Sequence, residues 1–275
     1  MRGEFVDLAG SQLYYYAAGT RGAGEPVVFL HGFPASTHLW HSVVPEMPEG
    51  HRLVLVDLLC FGRSDRADVA ALTVRAHAER ARALMDELDI TSACFVGHGM
   101  GGAVAQAVAL AFPERVTRLC LVNSTAFDCW PRRAARMARI LAKTPIGRML
   151  GAPLLSGLVH GSLLSGFADE EIGRHALDKY LGAFNSRLGV DALVAQLRAM
   201  HDPAVEAIGA ELGRITQPTA IVWGQHDPYL PVALAYRLQR AITGATVETV
   251  EGARHFTPED APERVAAAIA QLLRR

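Results

Sequence analysis

Long apolar runs are missing from this 275-residue chain. Its most apolar region, residues 146–167, is interrupted by Arg148, Pro153, His160 and several glycines, which a clean membrane-spanning helix would not carry. Charge of one sign is missing as well: 27 Lys and Arg stand against 28 Asp and Glu. That balance removes the electrostatic case for nucleic acid or an anionic membrane as partner. The densest basic piece, Arg132-Arg133-Ala134-Ala135-Arg136, is short and reads as a solvated helix face. The cysteines Cys60, Cys94, Cys120 and Cys129 show no paired spacing, and no Cys/His cluster has the spacing of metal ligands. No glycine-rich loop has phosphate-binding form. Met1-Arg2-Gly3-Glu4 is followed by no long apolar run, so no signal peptide is expected. These absences predict a reduced, cytoplasmic protein without metal or cofactor.

What the chain does contain is an alternation. Half of its residues are hydrophobic, enough for a large core. Phe5–Leu8 and Gln12–Tyr16, joined at Ala9-Gly10-Ser11, predict an antiparallel hairpin. Val27–Leu30, Leu53–Val56, Ala93–Val96, Val116–Val122, Thr219–Trp223 and Val247–Val250 are short apolar runs, as strands buried on both faces require. Helical spacing is predicted from Ser36 or Thr37 to about Val44, from Val74 to Leu88, from Ala103 to Ala111, from Val232 to Ile242 and from Pro262 to Leu273. Strand and helix in alternation predict a mostly parallel, doubly wound, eight-stranded sheet with helices on both faces. From Thr125 to Arg214 only helix-period segments occur, so residues 1–124 and 215–275 are expected to form the core and 125–214 an inserted helical lid. Leu154, Leu155, Leu158, Val159, Leu163 and Leu164 make that insertion rich in leucine, with Leu155 and Leu158 as candidate walls of a substrate pocket.

In such sheets ligands bind beyond the carboxyl ends of the strands. Those ends carry His31-Gly32-Phe33-Pro34, Asp57-Leu58-Leu59-Cys60-Phe61-Gly62-Arg63-Ser64-Asp65, Gly97-His98-Gly99-Met100-Gly101-Gly102, Gly224-Gln225-His226-Asp227 and Gly252-Ala253-Arg254-His255. The third of these resembles the nucleophile elbow G-x-S-x-G of the α/β-hydrolase family, with Gly99 where the family carries Ser, or sometimes Asp or Cys. The other four are similar, in order, to its oxyanion loop, its loop after the fourth strand, its acid loop and its histidine loop. Leu59 and Cys60 depart from the family's usual Pro and Gly there; a packing change explains this better than a displaced nucleophile at Cys60. His98 is expected to pack beside the elbow, near substrate, and His226 to be exposed.

The resemblance implies an α/β-hydrolase fold and a site in which Asp227 orients His255 toward residue 99, with the Phe33 and Met100 amides facing an oxyanion. A hydroxyl attacks only after an imidazole takes its proton, and the imidazole needs a carboxylate to fix its tautomer. Every part is present except the attacking atom. Met100 stands where dehalogenases often have Trp, and Tyr180 is the lid's one tyrosine where epoxide hydrolases use lid tyrosines, so the resemblance favours an esterase- or lactonase-like parent, a monomer or homodimer acting on a small apolar molecule. Three accounts of Gly99 remain open. It is an engineered knockout of a hydrolase, nearly inert because losing the nucleophile costs about 10⁶ in turnover. Or it belongs to a natural catalyst using His255 as general base without a covalent step, such as a cyclase, lyase, decarboxylase or cofactor-free oxygenase. Or it marks a ligand-binding protein without activity.

Overall fold

A computed structural model describes residues 3–8, 10–19, 24–67, 69–129, 151–184, 187–199 and 202–275. Eight strands form one sheet: β1 Glu4–Leu8, β2 Ser11–Ala18, β3 Val27–Leu30, β4 Leu53–Val56, β5 Ala93–Gly99, β6 Val116–Ser124, β7 Thr219–Gly224 and β8 Thr246–Val250. Their spatial order is β1-β2-β4-β3-β5-β6-β7-β8. β2 pairs antiparallel with β1 and β4, and every other pairing is parallel. After β4 the chain crosses back over β3 to lay down β5, so the connections leaving β3 and β5 diverge, and the ends of those two strands flank the crevice where ligands of doubly wound sheets bind.

The central strands are apolar throughout because both of their faces are covered. Val28 and Leu30 of β3 pack into one core, Val27 and Phe29 into the other. In β6, Leu119 and Leu121 join the first core, Cys120 and Val122 the second. This is the two-residue period of a strand between two helical layers. Helix α1, Val74–Glu87, buries Val74, His77, Ala78, Ala81, Leu84 and Met85, one stripe at helical spacing. Its start is set by Thr73, whose side chain accepts from the Ala76 N–H. Helix α2, Met100–Ala111, is buried from Met100 to Ala109, which is why it is built of apolar and small residues with a single polar Gln106.

Between β6 and β7 the described residues form four helices: α3 Gly151–Leu164, α4 Glu170–Leu181, α5 Arg187–Ala199 and α6 Ala204–Glu211. The side chains of Leu155 and Leu158, and the arginine-rich piece 132–136, lie outside the described residues. After β7 come α7 Ala233–Ala241, the single turn α8 Thr257–Asp260 and α9 Pro262–Leu273.

Two expectations need correcting. The helix predicted from residue 36 to about 44 is instead a pair of 3₁₀ turns, Thr37–Trp40 and Val44–Glu46. Ser36 does cap the first turn, but Pro45 lacks the N–H that a continuing helix would need there. Strand β5 also runs three residues past Val96, to Gly99, so the elbow closes directly on the strand.

Candidate active site

The turn between β5 and α2 is tight because the helix starts against the strand it leaves. A β-carbon on Gly97 would stand 2.4 Å from the Gly101 carbonyl oxygen, and one on Gly101 2.2 Å from that of Leu30. Neither position admits a side chain. Gly99 differs. It adopts φ 54° and ψ −121°, a backbone that L-residues seldom take. Yet among the described residues a β-carbon there meets only the Gly32 Cα at 3.5 Å and the His255 Nε2 at 3.9 Å, ordinary contact distances.

His255 is held by Asp227. Its Nδ1–H donates to the Asp227 Oδ2 at 2.7 Å, which leaves Nε2 as the unprotonated nitrogen facing residue 99. Asp227 sits at the end of β7, where the chain turns back on itself. Its Oδ1 accepts from the Tyr229 and Leu230 N–H groups at 2.8 and 2.9 Å. Its Oδ2 also accepts from the Asn123 side-chain amide at 2.7 Å. Burial pushes this carboxyl upward, but the His255 ring and these hydrogen bonds outweigh it, so Asp227 is held below the ordinary carboxylate range and stays ionised.

Two peptide units flank the same point. The Gly32 carbonyl accepts from the Ala35 N–H and from the His31 Nδ1–H, both at 2.9 Å. The Gly99 carbonyl accepts from the Thr125 N–H at 2.9 Å. In a trans peptide the N–H points opposite to its C=O. The Phe33 and Met100 N–H groups are therefore turned away from those anchors, and Met100, first in its helix, has no intrahelical acceptor. His31 serves this geometry. Its Nε2 accepts from the Leu58 N–H at 3.0 Å, which fixes the proton on Nδ1. Burial, which outweighs the pull of Asp57, keeps the ring neutral.

His98 is fully enclosed beneath the elbow. Its Nε2–H donates to the His255 carbonyl at 3.0 Å, and its ring lies against those of His255 and Phe256. Burial first, and the neighbouring His255 second, push its pKa down to about 3. Here the expectation of a substrate contact gives way to a supporting role under the histidine loop, since the ring has no exposed surface. His226 is exposed, as its position after β7 suggested. Cys60 is buried, with the Ala67 N–H donating to its sulfur at 2.9 Å, and packs the loop after β4.

Sequence reasoning passed over Asn123. It is the next-to-last residue of β6, with φ 40°. Its amide nitrogen holds Asp227, and its carbonyl oxygen accepts from the Thr257 hydroxyl at 2.7 Å and the Gly224 N–H at 3.2 Å. Only its place at a strand's carboxyl end hinted at this. The helical insertion also reaches the histidine loop. The Phe256 N–H donates to the Gly166 carbonyl, Phe167 stacks on Phe256 at 4.2 Å, and the Tyr180 hydroxyl of α4 donates to Glu259 of α8.

Among the described residues no group of three or more His, Cys, Asp or Glu is arranged to hold a metal ion, and no helix is long and apolar enough to cross a membrane. The groove between β8 and α9 lies at the amino ends of β7 and β8, on the side of the sheet opposite the histidine.

Comparison with known proteins agrees with the fold. A family profile described as alpha/beta hydrolase fold matches residues 25–262. A 2-hydroxy-6-oxononadienedioate/2-hydroxy-6-oxononatrienedioate hydrolase of Paraburkholderia xenovorans is 27% identical over 267 residues, 92% of this chain and 87% of that one. A cis-3-alkyl-4-alkyloxetan-2-one decarboxylase of Shewanella oneidensis is 24% identical over 278 residues, 95% of this chain and 85% of its own. The crystal structure of an enol-lactonase from Burkholderia xenovorans superposes with a TM-score of 0.83 at 21% identity, covering 99% of this chain and 100% of that one.

Proposed function

The chain belongs to the α/β-hydrolase fold family, and on that premise we propose that it is a hydrolase of small or medium apolar esters or lactones that works without a covalent intermediate. The observation that carries this reading is the open space beside Gly99, bordered by the His255 Nε2. A water in that space gives its proton to Nε2 and its oxygen to the substrate carbonyl. The carbonyl electron pair moves onto oxygen, against the Phe33 and Met100 N–H groups. On collapse the acyl–oxygen bond breaks, and the imidazolium returns the proton to the departing oxygen. Asp227, ionised and anchored by Asn123, stabilises the imidazolium. Relatives bearing hydrolase and oxetanone-decarboxylase names support chemistry at a carbonyl centre.

Residues 125–214 are the lid of this reading, because Phe167 and Tyr180 bear on the histidine loop. A cytoplasmic setting accords with the four cysteines, all described, forming no disulfide.

A second reading has its own support. The backbone at residue 99 has the space and the direction for an L side chain aimed at His255, which suits an ester hydrolase silenced by loss of its nucleophile. Kinetics on short p-nitrophenyl esters separate the two. The water mechanism gives turnover without a burst and loses it in His255→Ala. The silenced enzyme gives almost none until Gly99→Ser, and then shows a burst of p-nitrophenol. Turnover in neither form, with saturable ligand binding, points to a binding protein.

A further inference from the structure

Helix α2 carries one polar side chain, Gln106, and it is fully buried. Its amide nitrogen donates to the Ser124 Oγ at 2.9 Å and to the Gly102 and Thr125 carbonyls at 3.1 Å each. Carbonyls only accept, so the nitrogen is the atom that must face them. The Ser124 hydroxyl can lie against the helix because residue 102 is glycine: a β-carbon there would stand 2.1 Å from the hydroxyl oxygen. Ser124 in turn donates to the Thr125 carbonyl at 3.1 Å. The end of β6 and the residue after it are thus bonded to α2 through Gln106.

That segment holds one of the two peptides at the reaction centre. The Thr125 N–H donates to the Gly99 carbonyl at 2.9 Å, and the Gly99–Met100 peptide aims its N–H the opposite way. With glycine at 99, no side chain restricts how that peptide turns, and glycine populates many backbone states. Its direction therefore depends on the bond from Thr125, and the place of Thr125 depends on Gln106. Stability does not ask for Gln106. Among the described residues its Oε1 has no hydrogen-bond partner, a cost that an apolar side chain would avoid. Nor would its loss strand a carbonyl. The Thr125 carbonyl keeps the Ser124 hydroxyl, and the Gly102 carbonyl keeps the backbone N–H of residue 106, four positions on in the helix.

Resting on the hydrolase reading for the reaction centre, we infer that Gln106 is a positioning residue for the oxyanion: through Ser124 and Thr125 it fixes the direction in which the Met100 N–H points. It touches neither the substrate nor the reacting atoms. The same short segment serves both halves of the site, since Asn123, one residue earlier, holds Asp227. Loss of Gln106 loosens the oxyanion donor and leaves the bond between Asp227 and His255 as it is.

The test reads geometry and needs no turnover. In the full-length protein and its Gln106→Leu variant, residual dipolar couplings report the direction of the Met100 N–H, and hydrogen exchange reports the Thr125 N–H. The expected result in Gln106→Leu is an unchanged or raised urea midpoint and a changed Met100 coupling. Thr125 exchange should be about tenfold faster, the factor one net hydrogen bond supplies. The amides of Phe95 in β5 and Leu121 in β6 should keep their couplings and their exchange. Ser124→Ala should move the Met100 coupling as well, and adding it to Gln106→Leu should change little more, because both act along one chain of bonds. An unchanged Met100 coupling in folded Gln106→Leu would overturn the inference. So would faster exchange shared equally by Phe95 and Leu121, which marks a general loss of stability. Should Gln106→Leu fail to fold, Ser124→Ala decides by the same two readings. On any ester that is turned over, Gln106→Leu should lower kcat roughly tenfold or more with KM held, and an equal kcat would overturn the role. The hydrolase reading fails separately, through ester turnover that His255→Ala leaves intact.

Discussion

The His255 Nε2 lies 3.9 Å from the point where a β-carbon on Gly99 would stand, and among the described residues only the Gly32 Cα, at 3.5 Å, comes closer. The relationship joins two residues 156 positions apart. It turns an absent side chain into a question of chemistry rather than of folding, because the imidazole, its carboxylate and the two flanking peptides keep their arrangement without it.

Gly99→Ser should therefore build rather than break. The hydroxyl would come within reach of Nε2, and hydrolysis of short p-nitrophenyl esters should rise, with a burst that the glycine form lacks. The cost falls on stability. At φ 54° a side chain strains the backbone by about 1–3 kcal/mol, which a lowered urea midpoint should register. Gly99→Ala should show the same loss of stability and no burst; if alanine and serine gave equal activity, the hydroxyl would have no part in it.

His255→Ala should remove general-base catalysis, a loss of roughly 10²–10⁴ in kcat on any ester that the protein turns over. Asp227→Asn keeps the shape but takes away the charge that fixes the Nδ1–H tautomer, so it should lose activity with little change in KM. Retention of full kcat by the asparagine variant would separate the carboxylate from the reaction.

Asn123→Leu should damage both fold and site. It strips one hydrogen bond from Asp227 and leaves the Thr257 hydroxyl and the Gly224 N–H without their acceptor. Buried groups left unpaired cost on the order of 1–3 kcal/mol apiece, so a fall of several degrees in Tm is expected. With that bond gone, less opposes burial, and the Asp227 carboxyl should titrate higher, which NMR of the side chain would read.

His77→Leu should raise stability at neutral pH, since it removes two buried nitrogens that have no hydrogen-bond partner among the described residues. Its pH dependence follows from linkage. In the native protein burial keeps His77 neutral down to about 3, whereas in the unfolded chain it takes a proton near pH 6.5. Below about 6.5 the unfolded state binds one more proton, so the histidine form loses about 1.4 kcal/mol per pH unit that the leucine form does not. The gap between the two in urea denaturation should widen steadily from pH 6.5 to 4.5. A constant gap would mean that the ring is protonated in the native state.

The order of strands and helices was legible because burial on both faces leaves its mark on composition. Leu53–Val56 and Val27–Leu30 have no polar residue to show, and only a covered central strand tolerates that. The five strand-end motifs were legible for a related reason: tight turns and charged loop residues occur where regular structure ends. Near Pro45, which has no N–H to give a continuing helix, a helical pattern yields two 3₁₀ turns instead. His98 is harder to read, since a histidine beside a turn looks the same whether it faces ligand or supports a neighbour.

The sequence alone determined the layered sheet, the residues at its carboxyl ends and the glycine at the elbow, because periodicity and turn chemistry are local properties of the chain. Only the tertiary structure decided that Asp227 meets both His255 and Asn123, and that the Gly32 and Gly99 carbonyls turn the Phe33 and Met100 amides the other way. Except for the local bonds that anchor the Gly32 carbonyl, those relations join residues dozens to more than a hundred positions apart. They depend on which strand lies beside which, and no local pattern records that.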